Sequence, residues 1–206
     1  VKRTIAVVAA VLWAAVGAGA TGSEVYVFNG SEAAAQPWYP YHPGMRCQML
    51  FDRDKINCAG KITEFELEKS VHVATFENVK FYLCHTPLVA LTPNFAANYG
   101  GRTPRMVASF ASYQLPDVGG VYPIPMAEPF DYNNRDNLLL EITWESGTGQ
   151  KVFLLAGSVA AHQVYEYDDE AVTGTVQNLA YNALIHFNAY PGVAPASFGR
   201  VKALFR

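Results

Sequence analysis

Glu64-Phe65-Glu66-Leu67-Glu68 sets three carboxylates at alternate positions, between Lys61 and Lys69. On a β-strand, alternate residues share one face with steps of about 6.6 Å, close to the separations at which glycosidases hold an acid and a nucleophile. A strand with one buried face, here Thr63, Phe65 and Leu67, gives the same alternation with no chemistry attached, and the flanking lysines suit a solvated face. A second oxygen-rich stretch, Asp131-Tyr-Asn-Asn-Arg-Asp-Asn137, groups Asp131, Asn133, Asn134 and Asp136 in one loop. Hard oxygen donors are what structural calcium takes, although the glycine and closing acid of an EF-hand loop are missing. Asx side chains also serve turns by bonding their own backbone. Asp52, Asp54 and Asp168-Asp-Glu170 are weaker sites of the same kind, and no other cofactor is expected.

Trp38, Tyr39 and Tyr41 stand among prolines in the stretch 36–44, with Tyr99 and Tyr122 later in the chain. Their flat faces suit stacking on sugar rings; plugging one end of a core is the plainer use. The histidines, at 42, 72, 85, 162 and 186, show no ligand spacing, and His85 and His186 in apolar runs read as side chains satisfied by a core hydrogen bond. Cys47, Cys58 and Cys84 make an odd count. Cys47 and Cys84 fall in apparent strands and are the disulfide candidates, with the other pairings and no disulfide at all left open. No C-x-x-C pair points to zinc, no Gly-x-Ser-x-Gly to a hydrolase elbow, and no phosphate or dinucleotide loop is present. Asn29-Gly-Ser31 is a glycosylation sequon that matters only in a eukaryotic host.

The elements that must position these residues are strands. Turn residues punctuate short runs of period two, the pattern of an all-β sandwich. The strands expected are 25–28, 46–51, 62–69, 79–85, 106–113, 121–126, 138–145, 152–157, 163–167 and 184–188. Loops are expected at 36–44, 86–104, 116–120 and 146–150, and helix is nearly absent. In 171–184, Gly174 and a run of β-branched residues argue against a helix. Ahead of this, Lys2-Arg3, the apolar run Ile5 to Val16 and Ala18-Gly-Ala20 form a secretory signal peptide, helical and too short to span a bilayer. Val1 in place of methionine suits a GTG start in a bacterial gene. Residues 21–195 then form one domain, large enough for a core of its own, and 196–206 a short basic tail. Losing Lys2 and Arg3 takes the formal charge from −3 to −5, which excludes nucleic acid as a natural partner.

The succession Arg46-Cys-Gln-Met-Leu-Phe51, Ala59-Gly-Lys-Ile-Thr63, Lys80-Phe-Tyr-Leu-Cys-His-Thr86, Leu91-Thr-Pro-Asn-Phe-Ala-Ala-Asn98, Pro129-Phe-Asp-Tyr-Asn133 and Asn137-Leu-Leu-Leu-Glu-Ile142 resembles a bacterial β-sandwich domain of largely unassigned activity. That domain occurs in exported proteins, including those sorted by a Pro-Glu-Pro C-terminal signal. The resemblance covers roughly residues 41–157 and implies a fold and an extracytoplasmic setting, with no chemistry. The ending Ala203-Leu-Phe-Arg206 shows no such signal. The expectation is an all-β, single two-sheet antiparallel β-sandwich (jelly-roll-like), secreted, periplasmic or at the cell surface, with no stable membrane span after processing. Its role is structural, in assembly or in contacts with protein or glycan, with self-assembly allowed. The alternatives are a carbohydrate-binding module using Trp38, Tyr39 and Tyr41, and a jelly-roll glycosidase using Glu64, Glu66 and Glu68.

Overall fold

The computed structural model describes residues 22–28, 30–34 and 36–188; the signal peptide and the basic tail lie outside them. Among the described residues no helix is long and apolar enough to cross a membrane. In chain order the strands are β1 (Ser23–Val27), β2 (Glu32–Ala34), β3 (Met45–Phe51), β4 (Gly60–Lys69), β5 (Ala74–Thr86), β6 (Arg105–Leu115), β7 (Gly120–Ile124) and β8 (Phe130–Tyr132). They continue as β9 (Asn137–Trp144), β10 (Ser146–Gly149), β11 (Leu154–Gly157), β12 (Gln163–Glu166), β13 (Thr175–Gln177), β14 (Ala180–Tyr181) and β15 (Ala183–Asn188). One helical turn, α1 (Arg53–Ile56), follows β3, and a 3₁₀ turn covers Ala97–Tyr99. The first sheet runs β1-β15-β4-β11-β14, with β2 beside β11 and with β7 and β8 on β4; the second runs β10-β5-β9-β3-β12-β13, with β6 on β5. The fold is therefore an all-β, two-sheet antiparallel β-sandwich, as the period-two pattern implied. Each expected strand is present. Residues 146–149, expected as a loop, instead pair with β5 as β10, where glycines 147 and 149 hide the strand signal.

Inward side chains of both sheets meet in one core. β3 contributes Met45, Cys47, Met49 and Phe51, β9 contributes Leu138, Leu140, Ile142 and Trp144, and β4 contributes Ile62, Phe65 and Leu67. The alternation expected in β4 breaks at Thr63. Opposite it the register steps from His186↔Glu64 to Phe187↔Ile62, so Thr63 is the extra residue of a β-bulge and does not share the face of Phe65 and Leu67. Lys69, expected on a solvated face, keeps the inward parity of Leu67 and is 1% exposed. Its Nζ donates to the carbonyls of Ser70, Pro116 and Val118, which replaces the water that a buried ammonium loses. Burial is also the main cause of its lowered pKa.

The second sheet is covered on its outer face as well. A strap, residues 87–104, crosses β3, β9 and β5 and forms a second apolar cluster of Leu50, Cys84, Leu91, Phe95, Leu139, Val164 and Ala171. That is why Gln48-Met-Leu-Phe51 and Leu138-Leu-Leu-Glu141 are buried continuously and do not alternate. Polar groups tie the strap down. The Glu141 carboxylate accepts from Gln48 Nε2 at 2.5 Å, Tyr99 Oη at 2.7 Å and Arg46 at 3.2 Å. Arg46 also donates to the Ala171 carbonyl at 2.9 Å and lies over the Phe95 ring. Asn98, fully buried, donates to Gln48 Oε1 and the Thr92 carbonyl, and its Oδ1 accepts from the Thr92 amide and hydroxyl. Glu141→Leu leaves the Arg46 guanidinium partly buried without its counter-charge. The variant should lose about 3 kcal/mol in urea unfolding, with amide exchange rising first across residues 87–104.

Candidate functional site

β4 carries Glu64, Glu66 and Glu68 on the open outer face of the first sheet, and β15 brings His186 beside them. His186 is directly opposite Glu64 in register; its Nε2 sits 2.5 Å from Glu66 Oε1 and 3.7 Å from Glu64 Oε1. Its Nδ1 faces Glu24 of β1 at 3.5 Å. Two carboxylate oxygens and one imidazole nitrogen, from Glu64, Glu66 and His186, therefore lie within 4.8 Å of one another, a mixed oxygen and nitrogen set of the kind that first-row metals take. Glu68 belongs to a different group. It accepts from the Tyr26 hydroxyl and, at 2.8 Å, from Asn182 Nδ2. Asn182 is itself bonded to Gly30 through both the amide and the carbonyl. Burial first and then Glu68 push the Tyr26 phenol up to about 12, so it stays a donor at neutral pH. The three glutamates thus split into two groups along one face, Glu64 and Glu66 around His186 and Glu68 with Tyr26 and Asn182. His186, expected in the core, is the partner that sequence spacing missed, because 120 residues separate it from Glu66.

The aromatic loop divides too. Trp38 is fully buried, 5.0 Å from the ring of Phe76 and 5.9 Å from that of Tyr113, and its Nε1 donates to Tyr122 Oη. It plugs the end of the sandwich and presents no face to a sugar. Tyr122 is buried with it, and Tyr99 belongs to the strap network. Tyr41 remains 68% exposed, edge-on to the half-buried Tyr39. Tyr39 in turn meets His42, which stacks on Tyr167 at 3.5 Å. Tyr39 meets Tyr41, His42 and Tyr167 at steep angles, so the tyrosines form no coplanar row.

In the loop before β9, Asn133 and Asp136, two of the expected calcium donors, bond within the turn. Asn133 Oδ1 accepts from the amides of Arg135 and Asp136, and its Nδ2 donates to Asp136 Oδ2, while Asn134 takes a left-handed conformation. Asp136 also faces Arg102 at 3.7 Å, and Asp131 pairs by backbone with Lys61. Asp52 and Asp54 face His162 and Arg53. The cysteines are free. The pairing of Cys47 with Cys84 is overturned by topology, since β9 lies between β3 and β5. Cys47 opposes Ile142 on the inner face and Cys84 opposes Leu139 on the outer. Two strand spacings of about 4.8 Å exceed the reach of a disulfide. Burial pushes the Cys47 thiol up to about 12 and the Cys84 thiol up to about 11, so both stay protonated and unreactive.

No family model matches this chain, and no curated protein or solved structure does. The class rests on the architecture, a two-sheet antiparallel β-sandwich with one strapped sheet and one open, charged sheet.

Two histidines titrate in opposite senses. His162, 5% exposed, has Nδ1 2.7 Å from the Ala160 carbonyl and Nε2 3.1 Å from Asp52. Burial pulls its pKa down, but the bonds to Asp52 and Ala160 outweigh this and the net shift is upward. Its contribution to stability is complete below about 6.5, the unfolded value, and is lost as pH rises through the folded pKa. His85 stacks on Tyr132 and accepts from the Asn133 amide through Nε2 at 3.3 Å, a role that only the neutral ring fills. Burial chiefly lowers its pKa, with Asp136 and Asp131 opposing and Arg102 assisting. Its contribution is present above about 6.5 and lost as pH falls through the lower folded value. Urea midpoints measured against pH should therefore lose part of their alkaline decline in His162→Asn and part of their acid decline in His85→Phe. In the aromatic loop, Trp38→Ala should cost about 3–5 kcal/mol and Tyr41→Ala less than about 0.5 kcal/mol, both read by urea unfolding.

Proposed function

We propose that this protein is an exported, non-catalytic β-sandwich domain acting at the cell surface or in the periplasm through contacts with protein or glycan. The observation that carries this reading is how the chemistry-bearing side chains are used. Glu66 and Glu68 are held by His186, Tyr26 and Asn182, and Trp38 and Trp144 are fully buried. A jelly-roll glycosidase needs an acid and a nucleophile facing a sugar in a cleft lined with aromatic rings. Glu64 and Glu66 instead stand on an open face, and among the described residues both tryptophans lie inside the sandwich. Export is supported by the basic, apolar and small-residue succession of residues 2–20.

The test pairs processing with turnover. N-terminal sequencing of the protein from the extracytoplasmic fraction should begin at Thr21. The same material, incubated with β-glucan, xylan and chitin oligosaccharides, should release no reducing ends. Release that disappears in Glu66→Gln would overturn the non-catalytic reading, and retention of residues 1–20 would overturn export by signal-peptide cleavage.

A further inference from the structure

We infer that the cleft beside α1 binds a small organic carboxylate. The cleft encloses about 550 Å³, within the range of small-molecule sites. It is formed where α1, the start of the strap and the turn before β9 meet. Six charged side chains line it, and their pairing leaves an imbalance. Asp52 faces His162, whose two ring nitrogens both point at oxygen acceptors, the arrangement of an imidazolium. Asp54 faces Arg53 at 3.3 Å, and Asp136 faces Arg102 at 3.7 Å. Lys55 and Arg135 also line the cleft and are exposed, and among the described residues neither side chain has a partner. Two free cations therefore remain in the cleft of a chain whose formal charge is −3.

Part of the lining is apolar. Pro87 and Val89 form it, and Val89 is 77% exposed. The strap behind them is fixed, because Asn137 Nδ2 donates to the Leu88 carbonyl at 2.7 Å while Asn137 Oδ1 accepts from the Arg53 amide at 2.8 Å. One side chain thus ties all three walls together, so the cleft is formed before a ligand arrives. A guanidinium fork matches a planar carboxylate, and Lys55 adds a second positive charge. The carboxylates of Asp52, Asp54 and Asp136 around the rim disfavour an anion of higher charge. A monoanionic group on a ring or hydrocarbon body that rests on Pro87 and Val89 fits both features.

The test is a chemical-shift titration of the purified protein at low ionic strength with benzoate, galacturonate and succinate, using galactose as a neutral control and inorganic phosphate as a rival anion. The expected result is saturable movement of amides in 52–55, 87–89 and 135–137 with at least one of the carboxylates, none with galactose, and weakening as salt is added. The double variant Lys55→Gln, Arg135→Gln should bind at least tenfold more weakly with an unchanged urea midpoint. If that variant does not fold, Lys55→Gln alone should bind at least threefold more weakly. No saturation with any carboxylate, tighter binding of phosphate, or unaltered affinity in the charge-removed variants would overturn the inference.

Discussion

A carboxylate removed from water must find donors or be protonated, and Glu141 sits in the middle of the second sheet at 4% exposure. Its three donors come from distant parts of the chain. Arg46 and Gln48 project from the adjacent strand β3, while Tyr99 arrives on the strap. The acid therefore serves as an address for the strap. Only when residues 87–104 lie across β3 and β9 does Tyr99 Oη reach it, and that placement brings Leu91 and Phe95 onto Leu50, Leu139 and Val164. Apolar burial contributes the larger favourable term here, at about 25 cal/mol per Å², while the polar network selects one position of the strap over its neighbours. Burial first, and then Glu141, raises the Tyr99 pKa above the usual phenol value, so the donor on which the arrangement relies stays protonated.

Covering one sheet on both faces leaves the molecule asymmetric. The strap closes the outer face of the second sheet over β3, β9 and the end of β5, while β6 beside them stays largely exposed. The first sheet keeps a solvated outer surface on which Glu24, Glu64, Glu66 and His186 gather. The cleft next to α1 forms at the junction, where the strap leaves the second sheet and Asn137 holds its first residues to α1. The same buried interactions that close one surface thus shape the rim of the other, and the stability of the strap and the geometry of the cleft are coupled through Asn137.

The sandwich was legible because its evidence is local. Ile62, Phe65 and Leu67 fall on β4 and Met45, Cys47 and Met49 on β3, each within one run of alternating or continuous apolar residues. What escaped was set by pairing. Thr63 reads as an inward residue until the β15 register shows a bulge, and Lys69 reads as solvent-facing until loop carbonyls are found around its ammonium. Cys47 and Cys84 both read as strand residues, yet strand order and face parity decide whether two thiols meet, and both are long-range properties. The site followed the same rule. Glu64, Glu66 and Glu68 were visible from spacing alone, whereas His186 came from a strand far along the chain. Lys55, Val89 and Arg135, drawn together from three segments, carried no motif at all. Trp38 stands among prolines in a loop, yet a ring this large gains more from the core than from water, and the loop turns inward to place it there, which is the plainer of the two uses open to it.

Four of the six segments quoted from the sequence, 46–51, 80–86, 91–98 and 137–142, meet at the strap and its clamp. Arg46 and Gln48 come from the first, Thr86 from the second, Phe95 and Asn98 from the third, and Asn137 and Glu141 from the last. Thr86 Oγ1 donates to the Asn98 carbonyl at 2.7 Å, Gln48 Nε2 donates to the Phe95 carbonyl, and Asn137 bonds α1 and the strap together. Each of these residues is constrained by a buried or part-buried hydrogen bond, and losing the partner of a buried one leaves a group unsatisfied at a cost of about 1–3 kcal/mol. These requirements follow from how the strap must be held and are independent of any reaction. The residues that would decide what the molecule binds, Lys55, Val89 and Arg135 at the cleft and Glu64 with His186 on the open sheet, are exposed or half-exposed, and folding places far weaker demands on them. The buried clamp is therefore written into the apolar and polar pattern of the strands, while the cleft is not, which is why the fold reads clearly from this sequence and the ligand does not.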